Sequence, residues 1–134
     1  MRSRLTLTID HESRILLMRY IGAIEGEEIN LSMMQQLSQL GEPWTFDTIV
    51  DMRRYDGVVL GEEIQELGMR WSILAQGRDK GRSIAVISED PLVWARQSLT
   101  QAAFPFRKLA YFNTFDEGLD WIKSGRDTVR QAVA

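Results

Sequence analysis

The sequence predicts a single α/β domain: a mixed, mostly parallel five-stranded sheet with four helices, in the order β-β-α-β-α-β-α-β-α. Three observations lead there. The N-terminal segment alternates as a hairpin does, with Leu5, Leu7 and Ile9 separated by Thr6 and Thr8. Beyond it, short apolar runs alternate with amphipathic stretches, the pattern of parallel strands joined by right-handed crossovers. The 134 residues suit one domain, enough to bury about two thirds of the unfolded surface, so residues 1–134 are read as one unit.

Each element has its own signal. Asp10-His11-Glu12-Ser13 turns the first strand into a second, Arg14 to Ile21. A helix is expected from Glu25 to Leu40, with Ile29, Met33, Leu37 and Leu40 as its apolar stripe. Glu27 and Glu28 suit its positive end, and Gly41 and Pro43 stop it. The third strand spans Thr48 to Met52. The second helix runs from Glu62 to Gln76, ahead of Gly77, and Ser83 to Ile87 is the fourth strand. Asp90-Pro91 supplies an N-cap and a first-turn proline for a third helix reaching Phe104. Leu109 to Phe112 is the fifth strand, and Thr114 and Glu117 have capping-box spacing for the last helix. The tail from Arg126 to Ala134 is weakly helical and expected to fray.

Composition excludes whole classes of function. The formal net charge is −3 with both signs interspersed, which lacks the concentrated positive field of a nucleic-acid binder. With no cysteine, there is no thiol nucleophile, disulfide, thiolate zinc site or iron–sulfur cluster. Polar residues interrupt the basic N-terminus, so neither a signal-peptide core nor a membrane span is expected, and the cytoplasm is the expected location.

At this point the chain resembles the SpoIIAA-like family, relatives of the STAS domain of bacterial anti-sigma-factor antagonists. The resemblance rests on ILLMRYIG at Ile15 to Gly22, Ile49-Val50-Asp51, RSIAVISED at Arg82 to Asp90, Trp94-Ala95-Arg96, and FNTFDEGLDWI at Phe112 to Ile122. It covers Leu5 to Ile122 and implies a mixed sheet wound with four helices, the first strand antiparallel to the rest. In the phosphorylated antagonists a serine opening the second helix is the switch. Here no serine, threonine or tyrosine lies from Gly57 to Gln65, and a phosphate needs a hydroxyl to carry it. The switch therefore does not transfer. The looser resemblance is to SpoIIAA-like proteins proposed to bind apolar ligands or membranes, whose fold is similar to the CRAL-TRIO lipid-transfer fold.

Candidate chemistry is sparse. Asp51 ends a parallel strand, where α/β proteins place ligand sites, yet a loop N–H, Arg53 or Arg54 would also satisfy it. His11 is the only histidine and lies in a tight turn, so no Ser-His-Asp or multi-histidine metal site is expected. Gly77 to Arg82 follows a helix and opens a strand, the reverse of a phosphate loop. The groups Glu62, Glu63, Glu66 and Asp116, Glu117, Asp120 fall mostly in first helical turns, where negative charge is stabilising, so no metal and no cofactor is expected.

The second helix is the most informative element. At 100° per residue, Leu60, Ile64, Leu67, Gly68, Trp71, Leu74 and Ala75 share a sector of about 120°. Met69 and Ile73 project from the opposite side, one turn apart on a polar face. The expectation is a non-enzymatic binding module. Met69, Ile73 and Tyr55 would form an interaction face for an unknown protein partner, a membrane surface or a second copy in a homodimer. The alternative is a carrier of a small apolar or lipid-like molecule in a cleft between helices, walled by Trp71 and Trp94.

Overall fold

The structure, a computed structural model, describes residues 4–133, with side chains as far as Arg126. Five strands form one sheet in the order β1-β2-β3-β4-β5. They are β1 (Arg4–Asp10), β2 (Ile15–Gly22), β3 (Asp47–Tyr55), β4 (Ser83–Ile87) and β5 (Lys108–Phe112). β1 pairs antiparallel with β2 across a turn in which Asp10 Oδ1 accepts from the N–H groups of Glu12 and Ser13. β2 to β5 are parallel throughout. The expected mixed sheet is thus present, with its strands in chain order.

The helices are α1 (Gly26–Ser38), α2 (Gly61–Ala75), α3 (Pro91–Trp94), α4 (Gln97–Ala103) and α5 (Phe115–Val133), and a short 3-10 turn over Pro43–Thr45 follows α1. The third expected helix begins as read, with Asp90 Oδ1 accepting from Leu92 N at 2.9 Å. It is then broken at Ala95–Arg96 into α3 and α4, which makes five helices rather than four. No glycine or proline marks the break. It falls where Trp94 turns back to donate from Nε1 to Ser88 O at 2.7 Å and rests on Tyr111. At the last helix Thr114 Oγ1 accepts from Glu117 N, as its capping spacing predicts. That helix continues to Val133, through the tail expected to fray.

Period-two alternation divides the sheet into two faces. On one, Ile15, Ile49, Ala85 and Ile87 pack with Ile122 of α5. On the other, Leu16, Met18 and Tyr20 of β2 join Ile29, Met33 and Leu37 of α1 and Trp71 and Ala75 of α2. Ile84, Val86 and Tyr111 continue that second face towards Val93 and Phe104. α2 and α4 approach closely because Gly68 has no side chain: a Cβ there would lie 2.5 Å from the carbonyl oxygen of Ala103. At the other side of the sheet, Arg126 binds Asp47 Oδ2 through Nε at 2.9 Å and Ser13 O through NH1 at 2.6 Å, tying α5 to the hairpin and β3.

Candidate functional site

Between the helical face of the sheet and α1, α2, α3 and α4 lies a cavity of about 270 Å³. Its floor is Leu16, Met18, Thr48, Val50, Met52, Ile84 and Val86, and its roof includes Ile29, Met33, Ile64, Leu67, Trp71 and Phe104. Val50 and Met52 sit on the central strand beneath these helices, yet they keep accessible surface where a filled interior would bury them. Val58, in the loop between β3 and α2, and Leu92 of α3 line the cavity and are also exposed, so it reaches solvent between them.

An empty apolar space of this size is costly. Its apolar lining lacks the packed neighbours of a filled core, and a guest buried against it would gain about 0.8 kcal/mol per methylene. Domains of this kind have net stabilities of only about 5–15 kcal/mol. An apolar cavity of about 150 Å³ already takes up benzene. The present one approaches the lower limit of about 300 Å³ typical of small-molecule pockets.

Charged and polar groups stand at its two ends. At the carboxyl ends of the strands, Tyr55 donates to Ile24 O at 3.1 Å and meets Tyr20 edge-on, with centroids 5.5 Å apart. Burial raises the Tyr20 hydroxyl well above its usual range, and Tyr55 and Tyr111 add to the effect. Glu63 places its carboxylate over Gly26, where a Cβ would come within 1.2 Å of Oε2, and among the described residues that buried oxygen has no hydrogen-bond partner. Asn30 Nδ2 donates to Glu63 O at 3.0 Å, joining α1 to α2. At the amino ends of the strands stand Arg107 and Trp71, whose Nε1 donates to buried Asp79 at 2.7 Å.

Among the residues singled out from sequence, Trp71 is buried in the cavity wall. Trp94 lies outside that wall, half-exposed against Tyr111. Met69 and Ile73 are 61% and 71% exposed, opposite the Trp71 stripe, as the helical phase requires. Tyr55 does not join them; it belongs to the cavity. Gly77 to Arg82 connects α2 to β4, with Arg78 stacked 3.6 Å over the Trp44 ring. His11 is exposed in its turn.

Asp51 is on the opposite face of the sheet from the cavity and is 7% exposed. Arg53 donates to it from Nε and NH2, both at 2.9 Å, and from its backbone N–H at 3.1 Å, while Arg19 Nε lies 3.6 Å away. Burial pushes its carboxyl up, but the Arg53 hydrogen bonds and charge and the Arg19 charge outweigh this and hold it below the usual carboxylate range. Its carboxylate is held by the backbone N–H and guanidinium of Arg53, two residues along the same strand.

Sequence reasoning did not single out Arg107 or give Glu63 a place in a cavity. Arg107 sits in the charged stretch Arg107-Lys108, which locally looks like a solvated loop. Glu63 looks like an ordinary first-turn acid. Only the tertiary packing separates them from their neighbours.

No family model and no curated protein matches the chain. Among solved structures it is similar to an uncharacterised protein of the DUF3478 family with a SpoIIAA-like fold from Shewanella loihica PV-4. The two share 14% identity and a TM-score of 0.56 over 89% of this chain and 92% of that one. Among the described residues no helix is long and apolar enough to cross a membrane. The structural likeness shows that the chain has the SpoIIAA-like fold.

Proposed function

We propose that this protein is a non-enzymatic carrier of a small apolar molecule, held between the sheet and α1, α2, α3 and α4. The observation that carries this reading is the cavity itself: about 270 Å³ of apolar space, floored by partly accessible central-strand side chains and open to solvent beside Val58 and Leu92. Burying an apolar chain there gains roughly 0.8 kcal/mol per methylene. A ligand that binds only the folded state raises its stability, by about 2.7 kcal/mol at a hundred times its dissociation constant. Thermal unfolding with and without dodecanoate or dodecan-1-ol tests this. A concentration-dependent rise in Tm with either supports the reading, and no rise with both overturns it.

A second reading keeps Met69 and Ile73 as an interaction face. Their exposure favours it, and Met69 also lines a shallow groove with Leu99 and Pro105 between α2 and α4. In both readings the protein works by binding, and no phosphate is placed at the start of α2.

A further inference from the structure

Arg107 immediately precedes β5 and is 7% exposed in the cavity wall. Its NH2 group donates to Thr48 Oγ1 at 2.9 Å, Ser83 O at 3.1 Å and Phe46 O at 3.4 Å, all neutral acceptors. Among the described residues its buried Nε has no hydrogen-bond partner. Among the described residues it forms no ion pair. The nearby carboxylates are engaged elsewhere: Asp79 by Trp71 Nε1, and Asp47 by Ser83 N and Arg126. Burial lowers the Arg107 pKa to about 10 against the opposing pull of Asp79 and Asp47, and the group remains protonated at neutral pH. The guanidinium carbon lies 5.4 Å from the centre of the Trp71 ring, which offsets part of the charge; a buried cation without a contacting anion is still expensive, and an ion pair with full hydrogen bonding is what relieves it.

We propose that the bound molecule is an apolar chain bearing one carboxylate, and that Arg107 receives this carboxylate at the inner end of the cavity. This deepens the carrier reading and rests on it. A single negative charge matches a single guanidinium, and a charge-assisted hydrogen bond to a carboxylate is stronger than the bonds to neutral acceptors that Arg107 makes here. The orientation follows from the fold. Arg107 stands by Thr48 at the start of β3, and the opening lies beyond Tyr55 at its end. Tyr55 is seven positions along β3 from Thr48, about 23 Å at a rise of about 3.3 Å per residue. The carboxylate therefore leads inward and the tail points to Val58 and Leu92. Glu63, nearer the opening, repels a carboxylate left at that end.

Calorimetric titration of the whole chain at pH 8 with dodecanoate, dodecan-1-ol and dodecylamine, each below its aggregation limit, tests the assignment. Dodecanoate is expected to bind at least about tenfold more tightly than the alcohol, the order of a charge-assisted hydrogen bond. Equal affinity for acid and alcohol overturns the carboxylate assignment while leaving the carrier. Tightest binding of the amine overturns it too, in favour of Glu63. Binding of none of the three overturns both the assignment and the carrier. In Arg107→Met, checked by circular dichroism, the acid-to-alcohol ratio should fall towards one. A merely structural loss weakens both ligands alike, so an unchanged ratio overturns the role of Arg107. If that variant does not fold, Arg107→Lys is titrated in its place: a lower acid-to-alcohol ratio than in wild type is expected, and an unchanged one overturns the role of Arg107.

Discussion

Replacing Val50 with Phe places extra carbon directly in the proposed binding space. Val50 lies on the central strand, faces α1 and α2, and lines the cavity while retaining accessible surface. Phenylalanine is favoured in strands, so the backbone has no reason to resist. If the cavity is empty, the added ring carbons move into space lined by Met18, Met33 and Met52, and burying them gains about 1–2 kcal/mol. In a filled interior the same change forces off-rotamer side chains and costs about 1–3 kcal/mol. The two cases differ in sign. For a chain of this length, 1 kcal/mol corresponds to a shift in Tm of about 3–4 °C. A melting curve should therefore show Val50→Phe unchanged or higher by several degrees, while affinity for dodecanoate falls at least about tenfold because the space is taken. A drop of about 3–12 °C would instead mean that the helices already fill that volume.

The other predictions concern packing, charge and surface. Gly68→Ala would stabilise an ordinary helix by about 1 kcal/mol, but here the new Cβ meets Ala103 O at 2.5 Å; a lower Tm is expected, and a higher one would mean α4 moves away freely. Asp51→Asn should cost about 1.5–3 kcal/mol at most, measured by urea unfolding, because Arg53 loses its charged acceptor. The folded-state pKa of Asp51 is depressed, so its contribution is present above the unfolded value of about 3.9 and is lost as pH falls through the lower folded value; an acid titration of stability that is no steeper in wild type than in Asp51→Asn would contradict this. Changing Met69 and Ile73 together to Ser should leave stability within about 1 kcal/mol, and sedimentation of the same variant reads whether the face supports self-association.

Much of the fold can be read locally. Hairpin alternation, the Asp90-Pro91 start and the Thr114 cap act over a few residues, and the structure places each where its pattern indicates. The phase of α2 likewise follows from periodicity, which puts Trp71 inward and Met69 and Ile73 outward. The break between α3 and α4 has no such signal, because the long-range pull of Ser88 and Tyr111 on Trp94 replaces any local breaker there. The site is harder still. Leu16, Met33, Val50 and Val86 look like core residues in sequence, and they line a cavity only because the side chains of the sheet and of the helices above it fail to meet. Arg107 owes its burial to the starts of β3 and β4, which lie 24 and more residues away in the chain.

Whether an apolar ligand lies inside the protein or on its surface is decided by intermolecular nuclear Overhauser effects between bound dodecanoate and methyl-labelled protein. A ligand in the cavity gives cross-peaks from its chain to the methyl groups of Met33, Met52 and Val86, which line the cavity, and none to Met69 or Ile73, which face solvent. Cross-peaks to Met69 and Ile73 with none to the three inner residues would contradict the carrier reading.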